Sequence, residues 1–129
     1  AAEWRQVCFR VNIPADAEIY ADRKWTVEGL MNIVKNAVEH SPAGGTVEIS
    51  GEENEVYTQI AVRDQGGGIT REDQENLFGS FYKGSLARED SLGIGLALAR
   101  EIVEKQSGTI SLDSRPGGGT VFRIRFLKQ

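Results

Sequence analysis

Residues 56 to 68 are the stretch that most constrains how this chain folds. Residues 56 to 63 place Val56, Ile60 and Val62 in one phase of a two-residue period, which is typical of a β-strand with one buried face. The strand ends at Asp64, and three consecutive glycines at 66 to 68 follow almost at once. A tight turn needs one or two glycines, so the third indicates that something comes very close to the bare backbone.

The rest of the pattern predicts a sheet with helices. The predicted strands comprise residues 7–12, 18–21, 46–50, 56–63, 109–115 and 120–126. A helix is predicted from the N-cap Asp22 to about His40, and a second helix spans residues 92 to 106. A short helix over 70–77 and a loop over 84–91 lie between them. We therefore predict a single domain with an α/β two-layer sandwich, in which helices cover one face of a mixed, mostly antiparallel sheet.

The composition limits the classes of protein to which this chain can belong. Hydrophobic residues make up 40% and charged residues 26% of the 129 residues, which is the profile of one ordinary globular domain. The net charge of −4 argues against nucleic acid as the main partner, because phosphate contacts need a basic surface. No apolar run approaches the roughly 20 residues of a membrane helix, so we expect no membrane contact. The single cysteine, Cys8, excludes an internal disulfide.

The first predicted helix has two different sides. One is an apolar stripe that we expect to face the sheet, formed by Val27, Leu30, Met31, Val34, Ala37 and Val38. The other side carries, at steps of four, Glu28, Asn32, Asn36 and His40. These polar residues form either a solvated face or the wall of a cavity, where amides can bind phosphate oxygens or Mg²⁺. Asparagine is a poor helix former, and Trp25, Gly29 and Ile33 share this side, which indicates that it is covered.

Asp64 and the glycines after it also have two interpretations. They form either a glycine-rich turn capped by a carboxylate, or a pocket in which Asp64 accepts a hydrogen bond from the amine of adenine. Glycines 117 to 119 fit a hairpin turn, and Thr120 directly after them could offer its hydroxyl to a ligand.

The second predicted helix begins with a Gly-x-Gly pair. Gly93 and Gly95 favour an anion at this position, since free N–H groups and the helix dipole converge there. The stretch is neither a Walker loop nor a Rossmann fingerprint, because the required Lys-Ser/Thr and the third glycine are missing. Phe78 and Phe81, which precede it, are either core residues or part of a ligand site.

The order of these signals resembles the N, G1, F, G2 and G3 boxes of sensor histidine kinases. The resemblance rests on "NAVEH", "DQGGG", "LFGSFYKG", "GIGL" and "GGGT", and it extends from about Asp22 to Phe126. It implies the Bergerat ATP-binding fold that these kinases share with gyrase, Hsp90 and MutL. The implied activity is binding of Mg-ATP and transfer of its terminal phosphate to a histidine on a separate helical domain.

The resemblance also assigns roles to individual residues. Asn36 would bind Mg²⁺ through its side-chain oxygen, and Asn32 would line the phosphate site. Asp64 would receive the adenine amine, while Gly66 and Gly68 would make room for the ring and the lid.

The remaining assignments concern the lid and the phosphates. Residues 70 to 92 would form the ATP lid, and Lys83 within it would reach toward the terminal phosphate. Ile69 would pack on the base, and Thr120 would help to fix adenine through water. Backbone amides would hold the phosphates at Gly93, Gly95 and Leu96.

Some positions depart from the family's commonest pattern. Glu39 and His40 stand where Lys and Tyr are frequent, which gives Lys83 more weight as a phosphate contact. Glu28 matches the glutamate that activates water in the ATPase relatives. His40 is the single histidine and shares a helix with Asn36, so the chain is expected to bind ATP without phosphorylating itself.

Two alternatives keep the same fold. One is an anti-sigma factor serine kinase, and the other is a non-catalytic nucleotide-sensing module. Under the histidine kinase interpretation, the expected partners are the dimerisation and phosphotransfer domain of the same protein and, indirectly, a response regulator. The expected location is the cytoplasm, with the parent protein anchored in the cell membrane.

Overall fold

Helix α1 spans Arg23–His40 and is closed at both ends by the predicted residues. The computed structural model describes residues 6–68, 92–114 and 117–128. The side chain of Asp22 caps α1 by accepting a hydrogen bond from the backbone N–H of Trp25 (2.8 Å). At the other end, the backbone N–H of Ser41 donates to the carbonyl of Val38. The second helix of the described part, α2, spans Leu92–Glu104 and ends two residues earlier than predicted.

Five strands form one sheet in the order β1-β2-β3-β5-β4. Their bounds are Cys8–Asn12 for β1, Thr46–Glu53 for β2, Tyr57–Asp64 for β3, Thr109–Ser114 for β4 and Thr120–Leu127 for β5. Strands β1 and β2 pair in parallel, and the other three pairs are antiparallel. The predicted mixed, mostly antiparallel sheet is therefore confirmed.

Both helices pack on the same face of this sheet, as predicted. The buried core combines helix and strand residues: Ile33, Ala37, Val47, Val62, Leu96, Ala99, Val103, Phe122, Ile124 and Phe126. The helices run antiparallel, because Gly29 lies against Ile102 while Asn32 lies beside Gly95. Two layers with one shared apolar interior are the simplest way for a sheet and two helices of this size to bury their hydrophobic faces.

The predicted strand over residues 18–21 is wrong. These residues pair with no described strand, and the carbonyl oxygen of Glu18 accepts a hydrogen bond from the side-chain hydroxyl of Thr58 (2.9 Å). Ile19 and Ala21 pack against the core from this irregular segment. Alternating apolar residues therefore contribute burial here without a backbone ladder.

The predicted apolar stripe of α1 is wrong at two positions. Val27 is 54% exposed and Met31 is 58% exposed, whereas the buried residues of the helix are Gly29, Ile33, Asn36 and Ala37. The reason is that α1 contacts both the sheet and α2, so its buried face is turned toward the angle between them. Trp25, expected to be covered with Gly29 and Ile33, is also 54% exposed.

Neither α1 nor α2 combines the length and the apolar character that crossing a bilayer demands.

Candidate functional site

Asp64 is the last residue of β3 and lies at the centre of the candidate site. It pairs with Thr120, the first residue of β5, and is only 3% exposed. Its Oδ1 accepts a hydrogen bond from the backbone N–H of Gly66 (2.8 Å), while its Oδ2 has no hydrogen-bond partner among the described residues. Burial raises the pKa of this carboxyl, against the opposing effects of the Gly66 backbone, of nearby His40 and of the Thr120 backbone. One carboxylate oxygen is therefore buried and available to a donor from outside the described chain.

The glycines around Asp64 allow backbones to approach each other closely. A Cβ on Gly66 would collide with the carbonyl oxygen of His40, at the end of α1. A Cβ on Gly119, whose φ is +81°, would collide with the carbonyl oxygen of Asp64. The backbone N–H of Gly117 donates to the carbonyl of Gly67 (2.6 Å), which joins the two glycine-rich turns. Protein backbone, before any ligand, thus explains why residues 66 and 119 are glycines.

Asn36 is the second buried polar residue of the site. It is 3% exposed, and neither its Oδ1 nor its Nδ2 has a hydrogen-bond partner within the described ranges. A buried polar group without a partner costs about 1–3 kcal/mol, so such an amide needs an explanation. Both atoms suit an ion or a phosphate, since the oxygen can ligate a hard cation and the nitrogen can donate.

The other polar residues of α1 differ in position. Asn32 lies one turn before Asn36, is half-buried, and its side chain lies beside Gly95 of α2. Glu28, expected to join a catalytic group, is exposed. The structure therefore brings Asn32 and the beginning of α2 together and leaves Glu28 on the surface.

The beginning of α2 supplies backbone donors. The first N–H groups of a helix have no partner inside it, and Gly93 is the second residue of α2. Leu96 is the fifth residue, so its N–H falls within the helical ladder, and its side chain is buried in the core. This position favours Gly93 over Leu96 as a donor to an anion.

Several predicted site residues lie outside the described residues. They are Ile69, Lys83, the aromatic pair Phe78 and Phe81, and the predicted lid over residues 70–92 up to residue 91. Gly68, at the end of the described part of the first glycine-rich turn, has a φ of +85°. That conformation gives a structural reason for glycine at position 68.

Sequence reasoning missed Ser114, the last residue of β4. Its hydroxyl lies 2.7 Å from the hydroxyl of Thr120, which is 2% exposed. The signal was available, because antiparallel pairing across the hairpin places Ser114 directly opposite Thr120. Alternation within each strand locates the strands but does not align them with each other.

A protein-family model matches most of the chain. Residues 21–129 match the model described as "Histidine kinase-, DNA gyrase B-, and HSP90-like ATPase". The chain belongs to this family. Asp64, Asn36 and the helix start at α2 are accordingly the candidate nucleotide site of a histidine kinase-, gyrase- and Hsp90-like ATPase domain, and the predicted Bergerat fold is confirmed.

Curated relatives identify the branch of the family. The chain is similar to the sensor-like histidine kinase SenX3 of Mycobacterium tuberculosis, with 35% identity over 96% of this chain and 31% of the relative. It is 36% identical to the sensor histidine kinase YxdK of Bacillus subtilis, over 92% of this chain and 37% of the relative. The chain therefore spans about a third of the length of these relatives and corresponds to the ATPase domain of sensor histidine kinases. The anti-sigma factor alternative is not favoured.

Solved structures agree with this assignment. The mycobacterial sensor histidine kinase MprB has a TM-score of 0.82 at 25% identity, covering 94% of this chain and 83% of the other. The nucleotide-free catalytic domain of the histidine kinase ThkA also has a TM-score of 0.82, at 27% identity over 95% of this chain and 80% of the other.

Proposed function

We propose that this chain binds Mg-ATP and, in its parent protein, presents the terminal phosphate to a histidine on a separate helical domain. The observation that carries the proposal is the pair of buried groups with open hydrogen-bonding capacity, Asn36 and Asp64. One suits the cation and phosphate end of a nucleotide, and the other suits the amine of its base.

Mg²⁺ fits the amide oxygen of Asn36. Mg²⁺ prefers oxygen ligands and is commonly held by one or two protein groups together with phosphates and water. Among the described residues, no group of three or more His, Cys, Asp and Glu side chains forms a metal cage. When bound, the cation would neutralise phosphate charge, and the protein would contribute position and hydrogen bonds.

Phosphates would lie between α1 and the beginning of α2. Asn32 lies beside Gly95, so a donor side chain and the positive end of a helix face the same region. Lys83 and the lid over residues 70–92 are proposed to complete the phosphate site, as the family resemblance implies. Ile69 and Thr120 are proposed to hold the base beside Asp64.

The acceptor histidine is proposed to lie outside this chain. His40 is the last residue of α1, it is half-buried, and its carbonyl oxygen lies against Gly66. In-line transfer needs the nucleophile beyond the terminal phosphate, opposite the leaving oxygen. A residue held in this way, one helical turn beyond Asn36, cannot swing to that position.

The remaining partners follow from the same proposal. The helical dimerisation and phosphotransfer domain of the parent would receive the phosphate, and a cognate response regulator would then receive it from that domain. Because ATP is the phosphate donor, we propose that the domain works in the cytoplasm, with the parent anchored in the cell membrane.

The test has a binding step and a transfer step. Calorimetry should detect ATP binding that strengthens with Mg²⁺, and Asp64→Asn should weaken it, since a charged acceptor makes a hydrogen bond roughly twice as strong. Radiolabelled Mg-ATP should then label only an added helical domain, and that label should be acid-labile. Absence of ATP binding would refute the nucleotide site, while label on His40 of this chain would refute the transfer mechanism.

A further inference from the structure

Three polar side chains share the last rung of the sheet across β4, β5 and β3. Ser114 pairs with Thr120, and Thr120 pairs with Asp64. Directly paired residues point to the same face of a sheet, so all three side chains lie on one face. The next rung on that face, formed by Leu112, Phe122 and Val62, belongs to the helix-covered core. The polar rung therefore ends the core at the place where the base of a nucleotide would sit.

The positions of the hydroxyl hydrogens on this rung follow from two contacts. The Oγ of Ser114 donates to the carbonyl oxygen of Gly119 (3.2 Å) and lies 2.7 Å from Oγ1 of Thr120. A carbonyl oxygen can only accept, so the single hydroxyl hydrogen of Ser114 is used in the first contact. Either hydroxyl could donate in the second contact, and with the Ser114 hydrogen on the carbonyl we assign the donor role to Thr120. The Thr120 oxygen is left as an acceptor on the same rung as Asp64.

We infer that Ser114 is a specificity-determining residue, which orients the Thr120 hydroxyl so that the rung accepts hydrogen bonds and selects a 6-amino purine. The inference rests on the proposed nucleotide site. Adenine presents an amine that donates to such a rung. A 6-oxo purine instead presents an oxygen, which would face the Thr120 oxygen with no hydrogen between them.

Without the Ser114 hydroxyl, the Thr120 hydrogen would be released to rotate. It could then donate to the oxygen of a 6-oxo purine, while a protonated ring nitrogen of that base donates to Asp64. Ser114 would thus exclude the wrong base although it need not touch the nucleotide. It acts as a positioning residue through Thr120.

The experiment compares the affinities of ATP and inosine triphosphate for the 129-residue chain in the presence of Mg²⁺. The two nucleotides share ribose and phosphates and differ at the 6-position and the adjacent ring nitrogen. Their affinity ratio therefore cancels any general effect of a mutation on stability or on phosphate binding. Ser114→Ala should reduce the preference for ATP about fivefold, the equivalent of one ordinary hydrogen bond.

Two matched variants serve as controls. Ser114→Thr retains a hydroxyl at the same position and should retain most of the preference for ATP. Ser111→Ala makes the same chemical change on the same strand at an exposed position and should leave the ratio unchanged. Thermal unfolding of each variant would show that the compared proteins are folded.

The outcomes separate this inference from the proposed function. If Ser114→Ala weakens both nucleotides by the same factor, Ser114 is merely structural and the inference is overturned. If Ser114→Ala does not fold, Thr120→Val tests the same acceptor by deleting it, and an unchanged ratio there overturns the inference too. If the unmodified chain binds both nucleotides equally, the inference about Ser114 is overturned while the proposed function stands. An unmodified chain that binds neither overturns the proposed function.

Discussion

Gln106 and Asn36 are amide side chains at opposite ends of the same pair of antiparallel helices, and their hydrogen bonding is opposite. The Oε1 of Gln106 accepts from the backbone N–H of Asp22 (2.6 Å), and its Nε2 donates to the hydroxyl of Thr26 (3.0 Å) and to the carbonyl of Ile102 (3.2 Å). The amide of Asn36 has none of these links among the described residues, although it is the more deeply buried of the two.

The comparison separates two uses of a polar residue. The Gln106 end is closed, because its side chain ties the beginning of α1 to the end of α2. The Asn36 end is open, because its hydrogen-bonding capacity is left for something that the described chain does not provide. Removing a closed amide should lower the stability of the fold, whereas removing an open one should lower the affinity for a ligand. A buried polar group without a hydrogen-bond partner destabilises the protein until a ligand supplies that partner.

The sharpest test of this difference is Asn36→Leu. We expect the affinity for Mg-ATP to fall tenfold or more, because hydrogen bonds to charged groups contribute about 1.5–3 kcal/mol. The free energy of unfolding should stay the same or rise by about 1 kcal/mol, because the unpaired buried amide is removed. Calorimetry and urea denaturation would measure the two effects.

Asn54 provides the matched control for that substitution. Its Oδ1 accepts from the backbone N–H groups of Val56 and Tyr57, both at 2.8 Å, in the connection between β2 and β3. Asn54→Leu should lower stability and leave nucleotide affinity unchanged. A loss of stability in Asn36→Leu as large as in Asn54→Leu would contradict the idea that Asn36 is open.

The open end is nevertheless rigid in its backbone, and Gly66→Ala tests that. We expect a loss of about 1–3 kcal/mol in the free energy of unfolding, because the new methyl group would collide with the carbonyl oxygen of His40. Gly67→Ala is the control, since no atom lies within 4 Å of a Cβ at that position. Equal melting temperatures for the two variants would show that the turn can shift to accommodate the methyl group. The close approach of Gly66 to the carbonyl of His40 would then not be required for stability.

Gln106→Ala tests the closed end. We expect it to lower the free energy of unfolding by about 1–2 kcal/mol, because the backbone N–H of Asp22 loses its acceptor. Nucleotide affinity should change less than twofold, because the site lies at the other ends of α1 and α2. Hydrogen exchange should also become faster in the first turn of α1. If affinity falls as much as in Asn36→Leu, the two ends are not independent.

The smallest expected effect concerns the charge of Asp64. Burial raises the pKa of its carboxyl in the folded protein, so the folded state keeps this proton to higher pH than the unfolded state does. The contribution of Asp64 to stability is therefore full below the ordinary carboxyl pKa and is lost as pH rises through the raised pKa.

Asp64→Asn lacks this loss. Its stability relative to the unmodified chain should increase across that pH window and then stay constant toward neutral pH. Urea denaturation at a series of pH values would measure the difference. A difference in stability that does not vary with pH would mean that burial does not disfavour the charged form of Asp64. The Oδ2 atom without a partner would then no longer indicate a ligand site.

Much of the fold was predictable from the sequence because it depends on local patterns. The cap at Asp22, the strand that ends at Asp64 and the hairpin before Thr120 all follow from residue type and alternation. The exposure of Val27 and Met31 was not predictable in this way. Periodicity finds the apolar side of a helix, but the position of α2 decides which part of that side is covered.

The features of the candidate site fall into the same two groups, those that follow from local sequence patterns and those that depend on contacts between elements. Asn36 and Asp64 were predicted as site residues, because each stands out in its own element, as an amide in a helix and a carboxylate at a strand end. The carbonyl of His40 against Gly66, and the hydroxyl of Ser114 beside Thr120, depend on contacts between elements that are distant in the chain. Single-sequence patterns carry little information about such contacts.

The order of the strands has a consequence for how the site forms. Asp64 and Thr120 meet through the pairing of β3 with β5, whose residues are much farther apart in the chain than those of the two hairpins. Closing a long loop costs more entropy than closing a short one, so this pairing is expected late in folding. A nucleotide that needs both residues would then bind after the rate-limiting step. It would prolong the lifetime of the folded domain by slowing its unfolding, with little effect on how fast the chain folds.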